Sequence, residues 1–209
     1  SFDLNSLYPH LIMQYNISPE TLQAESVEKG VDHYLKNPAK DSDYAVAANG
    51  SQYRKDFRGV FPSIMEDFYN QRKIAKKEML QAQQLYENEN DTRQLKVISS
   101  KNNYQMGMKI ALNSAYGAMG NQYFRYFDLK MAEAITTSGQ LSIRWIHDRM
   151  NDYLNKIIGT KNEDYIIAVD TDSIYVTFEK LVDKVMGEKQ SDIPKVIKFL
   201  DTICNEKFL

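Results

Sequence analysis

Two runs of β-prone residues surround a short polar segment in the stretch Tyr165-Ile166-Ile167-Ala168-Val169-Asp170-Thr171-Asp172-Ser173-Ile174-Tyr175-Val176-Thr177-Phe178. β-Branched and aromatic residues are enriched in strands, whereas Asp, Thr and Ser are common in the turns that join strands. The stretch therefore predicts a β-hairpin with two carboxylates, Asp170 and Asp172, at its tip.

Long helical patterns precede this hairpin, so the predicted fold class is α+β. Apolar residues recur at helical intervals up to about Asn88 and again from about Arg93 to Ala118, which predicts two antiparallel helices joined by a turn. Ser63 and Glu66 have the spacing of a capping box at the start of the first helix. A third long helix is predicted from Met131 to Ile158.

Three smaller segments and one core residue are also predicted. Residues 1–7 predict a short strand, and Ser18-Pro19-Glu20 predicts a helix start, with Ser as N-cap and Pro in the first turn. Residues 37–59 are rich in turn-forming residues and predict a loop or a weak hairpin. Trp145 is predicted to lie in the core.

Composition limits the possible functions. The chain has 209 residues, of which 43% are hydrophobic, and can bury the core of one medium domain, with or without a protruding insertion. Its formal charge of −2 provides no general attraction to nucleic acid, so such contacts would need locally arranged Lys and Arg. The single cysteine, Cys204, excludes an internal disulfide framework and a Cys-rich zinc site.

The same composition predicts an intracellular protein that is not secreted and has no membrane partner. One cysteine fits a reducing compartment. No apolar run approaches the roughly 20 residues that span a bilayer, and the first residues lack the pattern of a signal peptide. The chain begins within a strand pattern and ends within a helical one, which suggests a segment of a longer protein.

Asp170 and Asp172 are the first candidates for chemistry. Two neighbouring carboxylates repel each other unless a cation compensates, so the pair suggests a divalent metal. Asp is also frequent in turns for local hydrogen bonding, so the pair alone leaves an ordinary turn open. Asp3, at the end of a short apolar strand, is a third candidate acid, but spacing alone does not show that it meets Asp172.

Four blocks of the sequence resemble family B DNA polymerases in their expected order. Asp3-Leu4-Asn5-Ser6-Leu7-Tyr8-Pro9 resembles motif A, and Asp170-Thr171-Asp172-Ser173 resembles motif C. Between them, a resemblance to motif B is carried by Lys109-Ile110-Ala111-Leu112-Asn113-Ser114-Ala115-Tyr116-Gly117. A resemblance to the basic stretch of the preceding fingers helix is carried by Gln71-Arg72-Lys73 with Lys76. One departure is Val169, which stands where the family usually has Gly.

Within the family, two segments resemble the replicative polymerases of T-even-type bacteriophages: Tyr15-Asn16-Ile17-Ser18-Pro19-Glu20-Thr21 and Phe124-Arg125-Tyr126-Phe127-Asp128-Leu129. The resemblance excludes about residues 23–57 and 82–103. It implies a palm with an antiparallel sheet and packed helices, and a projection of two antiparallel fingers helices. The implied division is palm at 1–59, fingers at 60–118 and palm again at 119–209, as a fragment of a longer polymerase.

The resemblance implies a DNA-directed DNA polymerase, which transfers deoxynucleotides to a primer 3′-hydroxyl and releases pyrophosphate by a two-metal mechanism. Asp3 and Asp172 would bridge two Mg²⁺ ions, for which Mn²⁺ is a possible substitute. The Leu4 carbonyl is a further implied metal ligand, and Asp170 is implied as a secondary acid.

The implied nucleotide-binding residues are Ser6, Leu7 and Tyr8 through their backbone amides, and Arg72, Lys76, Lys109 and Asn113 through their side chains. Tyr8 is also implied to crowd the 2′ position of the sugar. Implied DNA contacts are Tyr116, Gly117, Asn121 and Thr171. Helical spacing agrees, because Arg72 and Lys76 share one face and Lys109 and Asn113 share another. Without the motifs, a solvated surface would explain the cations as well, and Tyr116 would be assigned to the core.

The implied partners are primer-template DNA, deoxynucleoside triphosphates and, for the full-length protein, a sliding clamp. A viral source would place it in the cytoplasm of an infected bacterial host. Two rival functions stay open: another two-metal enzyme such as a nuclease, and a non-catalytic nucleic-acid-binding module. Strand degradation rather than nucleotide incorporation would favour the first rival. Metal-dependent nucleotide binding that is lost without Asp3 or Asp172 would oppose the second.

Overall fold

The computed structural model describes residues 1–27, 29–40, 42–187 and 192–208. Its strands are β1 (Phe2–Asp3), β2 (Leu22–Ser26), β3 (Tyr44–Val46), β4 (Ser51–Arg54), β5 (Ile166–Asp170) and β6 (Ser173–Val176). Its helices are α1 (Leu7–Tyr15), α2 (Gly30–Lys36), α3 (Val60–Glu89), α4 (Arg93–Met119), α5 (Leu129–Ile158), α6 (Glu179–Met186) and α7 (Ile193–Ile203), which a π-helical turn (Cys204–Phe208) follows. The chain divides into a first unit, residues 1–3 with 143–209, and a second unit, residues 4–142.

The first unit contains a three-stranded antiparallel sheet in the order β1-β6-β5. Phe2 lies opposite Ile174 and Asp3 opposite Ser173, and on the other edge of β6 Asp170 also lies opposite Ser173. The sheet and the second half of α5 enclose a core that includes Met150, Leu154, Tyr165 and Leu181. The predicted hairpin is confirmed, and so is the α+β class with an antiparallel sheet.

Val169, the departure from the family pattern, lies within β5 opposite Ile174. Residues with positive φ include Thr171 in the hairpin tip but not Val169. A β-branched residue is therefore compatible with the backbone at this position, where a regular strand favours it.

The second unit combines α1, α3, α4 and the first part of α5 with a second antiparallel sheet in the order β2-β4-β3. Its core joins Leu11 and Ile12 of α1 with Met65, Leu112 and, from α5, Ile135. The predicted weak hairpin at 37–59 is confirmed as β3 and β4, whereas β2 and α2 had no recognisable sequence signal. None of the described helices has an apolar stretch long enough to cross a membrane.

The two predicted antiparallel helices are α3 and α4. Lys101 Nζ on α4 lies 2.6 Å from Glu78 Oε2 on α3. Further along, the Tyr104 hydroxyl donates a hydrogen bond to Gln71. From the first contact to the second, the residue number falls on α3 and rises on α4, so the two helices are antiparallel. Asn90 ends α3 in a left-handed conformation.

The predicted capping box at Ser63 is wrong, because α3 begins three residues earlier, at Val60. The Ser63 hydroxyl instead donates to the Gly59 carbonyl at 2.8 Å. The helix is capped by residues about forty positions earlier: Val60 N–H donates to Glu20 Oε1 at 2.6 Å, and Phe61 N–H to Ser18 Oγ at 3.3 Å. Although burial opposes ionisation, bonds from Val60 and Ser18 leave the pKa of Glu20 below its ordinary value.

Two other predictions are also wrong. Ser18-Pro19-Glu20 forms a turn rather than a helix start, since the Thr21 hydroxyl donates to the carbonyl of Ser18 at 2.9 Å and the chain then enters β2. Trp145 is not a core residue, because 52% of it is exposed. The Arg149 guanidinium lies 5.7 Å from the centroid of its ring, which is within cation–π range.

Asn16 connects the end of α1 to the segment before α3. Its amide nitrogen donates to the carbonyls of Arg54 at 2.7 Å and Phe57 at 2.8 Å, and its Oδ1 accepts from Gly59 N–H at 2.9 Å. The residue is buried and has a φ of 57°, in the left-handed region that Asn tolerates better than most residues. One side chain therefore satisfies three backbone groups at this junction.

Asn16→Ala is expected to lower the free energy of unfolding by about 3 kcal/mol or more, because it leaves buried backbone groups without partners. Asn90→Ala is the matched control, since Asn90 has the same left-handed conformation but is exposed. Its expected loss is about 1 kcal/mol. Urea unfolding of the full-length protein, with hydrogen exchange at Gly59 N–H, measures the difference, and equal losses in the two variants would contradict the role of the Asn16 side chain.

Candidate active site

Asp3 and Asp170 lie on the two outer strands of the first unit's sheet, each opposite Ser173 of β6. Residues directly opposite each other in antiparallel strands direct their side chains to the same face. Asp3, Ser173 and Asp170 therefore share one face of the sheet. The strand spacing puts the Cα atoms of Asp3 and Asp170 about 10 Å apart. Asp172 precedes Ser173 in the turn, so its backbone is one strand spacing and one residue from Asp3.

The hairpin tip has a tight two-residue turn, Thr171-Asp172, between the paired residues Asp170 and Ser173. Thr171 has a φ of 31°, and a positive φ at the first loop position is typical of such hairpin turns. The Thr171 hydroxyl donates to Asp170 Oδ1 at 3.2 Å, and Ser173 Oγ donates to the Asp170 carbonyl at 3.4 Å. Local hydrogen bonds thus hold the tip while Asp170 stays exposed.

Carboxylates on one sheet edge fit a hard divalent cation such as Mg²⁺. Within the described ranges, no three His, Cys, Asp or Glu side chains form a group that could hold a metal ion. Mg²⁺ is usually bound through one or two carboxylates, with waters and substrate phosphates as its other ligands. Asp3 and Asp172 would supply two carboxylates to such a site, and water and the substrate would supply the other ligands.

In the second unit, Ser6 adopts a left-handed conformation immediately before α1. Its hydroxyl donates to Asn5 Oδ1 at 3.1 Å rather than capping the helix, and its carbonyl accepts from His10 N–H at 3.1 Å. The amino end of a helix carries a partial positive charge and attracts anions. The predicted nucleotide-binding residues Ser6, Leu7 and Tyr8 all lie at this end.

The Tyr8 ring contacts Tyr116 of α4, with 4.7 Å between the ring centroids and an angle of 58° between the planes. Both residues are partly buried. The structure thus brings together a residue predicted to contact the nucleotide sugar and one predicted to contact DNA. Gly117 and Asn121, also predicted to contact DNA, are exposed near the end of α4.

The predicted cationic residues flank the surface through which α3 and α4 pack. Ala75 of α3 and Leu112 of α4 are buried. An α-helix turns by 100° per residue. Measured around the helix axis from the buried residue, Arg72 and Lys76 on α3 therefore lie in the same rotational direction as Lys109 and Asn113 on α4. In antiparallel helices that offset leads to the same side of the pair, so all four side chains belong to one side.

The cross-helix contacts also set the order of these four residues along the pair. Lys101 is level with Glu78, and Tyr104 with Gln71. Counting residues along each helix from these two contacts gives the order along the pair: Asn113, Lys109, Arg72 and Lys76. Neighbouring residues in this order are about 6 Å apart along the helix axes. These four residues are called the cationic row below, because three of them are positively charged.

Arg72 has a feature that the other members of the cationic row lack in the described part of the chain: its Nε is buried without a hydrogen-bond partner there. A buried donor without a partner costs free energy, and a charged donor costs more.

Gly139 on α5, which no motif marks, lies close to the Tyr8 ring. A Cβ placed on Gly139 would lie 3.4 Å from Tyr8 Cε1. An isolated Gly within a long helical pattern was the only available signal.

Comparison with known proteins identifies the family. The family model for DNA polymerase family B matches residues 1–196. The chain belongs to DNA polymerase family B. The predicted family is therefore confirmed. The chain is 36% identical to the DNA-directed DNA polymerase of Escherichia phage RB69 and 33% identical to that of Enterobacteria phage T4, over 99% of its own length.

The family B relatives are longer than this chain, which spans 28% of the length of the RB69 and T4 polymerases. Among solved structures, the fold is similar to that of the family B DNA polymerase from the hyperthermophilic archaeon Pyrobaculum calidifontis. The TM-score is 0.53 at 22% sequence identity, over 88% of this chain and 22% of the archaeal one. This likeness supports the observed mixture of helices and antiparallel sheets.

Proposed function

We propose that this chain is the catalytic portion of a DNA-directed DNA polymerase, which transfers deoxynucleotides to a primer 3′-hydroxyl and releases pyrophosphate. The observation that carries the proposal is the pairing of the Asp3 strand with the Asp170–Ser173 hairpin in a family B chain. Both phage relatives are named DNA-directed DNA polymerases, which supports the reaction class.

Asp3, Asp172 and the Leu4 carbonyl are the residues proposed to hold two Mg²⁺ ions, with Mn²⁺ as a substitute. When bound, such ions lower the pKa of the primer hydroxyl and neutralise charge on the triphosphate. The Asp3 and Asp172 carboxylates supply the negative charge that attracts the ions. Asp170, on the same sheet face as Asp3, strengthens the negative potential as a secondary acid.

The cationic row is proposed to bind the triphosphate. The positive charges of Arg72, Lys76 and Lys109 would compensate the negative charge that develops on the leaving pyrophosphate, and Asn113 would add a neutral donor. The backbone amides of Ser6, Leu7 and Tyr8 add hydrogen bonds at the amino end of α1. Tyr116, Gly117, Asn121 and Thr171 are proposed to contact the primer-template DNA.

The proposed architecture assigns residues 1–59 and 119–209 to the palm and residues 60–118, with the α3–α4 pair, to the fingers. Primer-template DNA and deoxynucleoside triphosphates are the proposed partners, and a sliding clamp is proposed for the full-length polymerase. The proposed location is the cytoplasm of an infected bacterial host, as for a phage enzyme.

A nuclease would use the carboxylates without the cationic row, and a binding module would need neither. Incubating the full-length polymerase with a primed template, Mg²⁺ and deoxynucleotides distinguishes these functions. Growth of the primer in the order that the template dictates supports polymerisation. Shortening of the strand supports a nuclease, whereas binding without any change in strand length supports a non-catalytic module.

Tyr8 is proposed to exclude ribonucleotides, because its ring would clash with a 2′-hydroxyl. Tyr8→Ala is expected to lower the ratio of deoxynucleotide to ribonucleotide incorporation efficiency by about 100-fold, while most deoxynucleotide turnover is retained. Tyr8→Phe keeps the ring and is expected to keep the ratio. Single-nucleotide incorporation by the full-length enzyme measures both, and an unchanged ratio in Tyr8→Ala would mean that another residue excludes the 2′-hydroxyl.

A further inference from the structure

Tyr175 lies on the same face of the first unit's sheet as the candidate acids. Residues two apart in a strand point to the same side, so Tyr175 shares a face with Ser173 of β6. Ser173 is directly opposite both Asp3 and Asp170. Tyr175 is directly opposite Ala168 of β5. These five residues are called the acid face below, and Tyr175 is the largest side chain among them.

Tyr175 does not contribute to the core on the other face of the sheet. Its neighbour Ile174, which points the opposite way, is 1% exposed, whereas Tyr175 is 45% exposed. Ala168, across from the ring, is exposed and has only a methyl group, so no large side chain covers the ring from that position. Within the described residues, the Tyr175 hydroxyl forms no hydrogen bond. The ring edge and the hydroxyl are therefore available to a ligand.

The acids occupy one end of the acid face. Asp3 is the last residue of β1, Asp170 is the last residue of β5, and Ser173 is the first residue of β6. From the acids, the face therefore extends in one direction only, toward Ala168 and Tyr175. The Cα of Tyr175 is about 7 Å from that of Ser173 along the strand. A polymer that has one end at the acids and rests on this face passes Tyr175.

A tyrosine hydroxyl suits a phosphate contact beside carboxylates. It is an uncharged donor, and tyrosine is among the residues that bind DNA phosphates. A Lys or Arg at this position would be attracted to the Asp3 and Asp170 carboxylates and would compete with metal ions for them. An uncharged donor binds a phosphate oxygen without that competition.

We propose that Tyr175 is a DNA-binding residue that contacts the primer strand within about two nucleotides of its 3′ end, with its hydroxyl donating to a phosphate oxygen. The inference rests on the proposed function, in which Asp3 and Asp172 hold the ions that act on the primer hydroxyl. The residues proposed to bind the triphosphate belong to the second unit, whereas Tyr175 belongs to the first. The acid face is therefore assigned to the primer strand.

Binding of the full-length polymerase to a fluorescent primer-template, without deoxynucleotide and at fixed salt, measures the contact. Tyr175→Phe keeps the ring and is expected to raise the Kd about tenfold, because a hydrogen bond to a charged group is lost. The KM for deoxynucleotides is expected to stay unchanged. Tyr44→Phe is the matched control, since Tyr44 is 39% exposed on β3 of the other sheet, and it is expected to leave the Kd unchanged.

Primers with a single methylphosphonate locate the contacted phosphate. This substitution replaces one charged phosphate oxygen by a methyl group. With the unsubstituted protein, one position among the last three primer phosphates is expected to raise the Kd about tenfold more than the other positions do. In Tyr175→Phe this excess is expected to disappear, because the partner of that phosphate is already absent.

Three results would overturn the assignment of Tyr175 to the primer: no excess at any primer phosphate, an excess that persists in Tyr175→Phe, or an excess at template phosphates alone. Urea unfolding separates a structural role. Tyr175→Phe is expected to keep the free energy of unfolding, and a loss of stability without any positional excess would assign the hydroxyl to a contact within the full-length protein.

Failure of the proposed function gives a different result from failure of this inference. If the full-length protein does not extend primers, the polymerase function is wrong. If it extends primers and Tyr175→Phe binds primer-template as tightly as the unsubstituted protein, only the assignment of Tyr175 is wrong. Primer extension and the methylphosphonate series are measured on the same proteins, so the two failures are distinguishable.

Discussion

Asp172→Asn in the full-length polymerase is expected to lower the rate of nucleotide incorporation by about 1,000-fold or more, because it removes a negative charge that we propose holds the metal ions. Asn keeps the size and shape of Asp and changes only the charge and one donor group. Asp3→Asn is expected to cause a similar loss, since Asp3 lies beside Ser173, the neighbour of Asp172. Pre-steady-state incorporation at saturating Mg²⁺ and deoxynucleotide measures the rate.

Two other substitutions serve as comparisons for the size of these losses in rate. Asp183→Asn removes the same charge from an exposed position of α6 in the first unit and is expected to leave the rate unchanged. Asp170→Asn is expected to have an intermediate effect, in keeping with a secondary acid. Near-normal rates for Asp3→Asn or Asp172→Asn would contradict the proposed roles of these carboxylates.

Lys109→Ala is expected to have the second largest effect, a fall of about 100-fold in kcat/KM for deoxynucleotides, because it removes a cation that we propose binds the triphosphate. Arg72→Ala is expected to be comparable, and Arg72→Lys to recover only part of the loss, since Lys lacks the planar fork that binds phosphate oxygens in pairs. Single-turnover titration with deoxynucleotide separates the change in affinity from the change in rate.

Lys96→Ala is the matched control for Lys109→Ala. Lys96 is an exposed lysine on the same helix, outside the cationic row. Its substitution is expected to leave kcat/KM unchanged. Equal losses at the two positions would show that general charge attraction, rather than a contact with the triphosphate, explains the effect of Lys109.

The elements predicted correctly from the sequence are those specified by local patterns. The hairpin of Asp170 and Asp172 has β-prone runs on both sides of turn residues, and its pairing needs no distant residue. The helices α3 and α4 have long apolar periods with a polar turn between them. No local pattern indicates that β1 pairs with β6. Only the family resemblance, which implies that Asp3 and Asp172 bridge the same two ions, relates the two segments.

The errors arise where distant residues decide the local structure. Val60 rather than Ser63 begins α3, because Ser18 and Glu20 supply the caps from another part of the chain. Trp145 is half exposed although its helical position fitted an apolar stripe. The contact between Gly139 and Tyr8 joins residues far apart in sequence, so no spacing rule would indicate it.

Template-directed nucleotide transfer by this chain is tested by the amount of pyrophosphate released per primer that the full-length polymerase extends on a template with one coding base. With Mg²⁺ and the complementary deoxynucleotide, we expect one added nucleotide and one pyrophosphate per primer. We expect neither product with mismatched nucleotides, and neither at matched times with Asp172→Asn. Primer shortening, extension without pyrophosphate, or an unchanged yield from Asp172→Asn would contradict the claim that this chain carries template-directed nucleotide transfer.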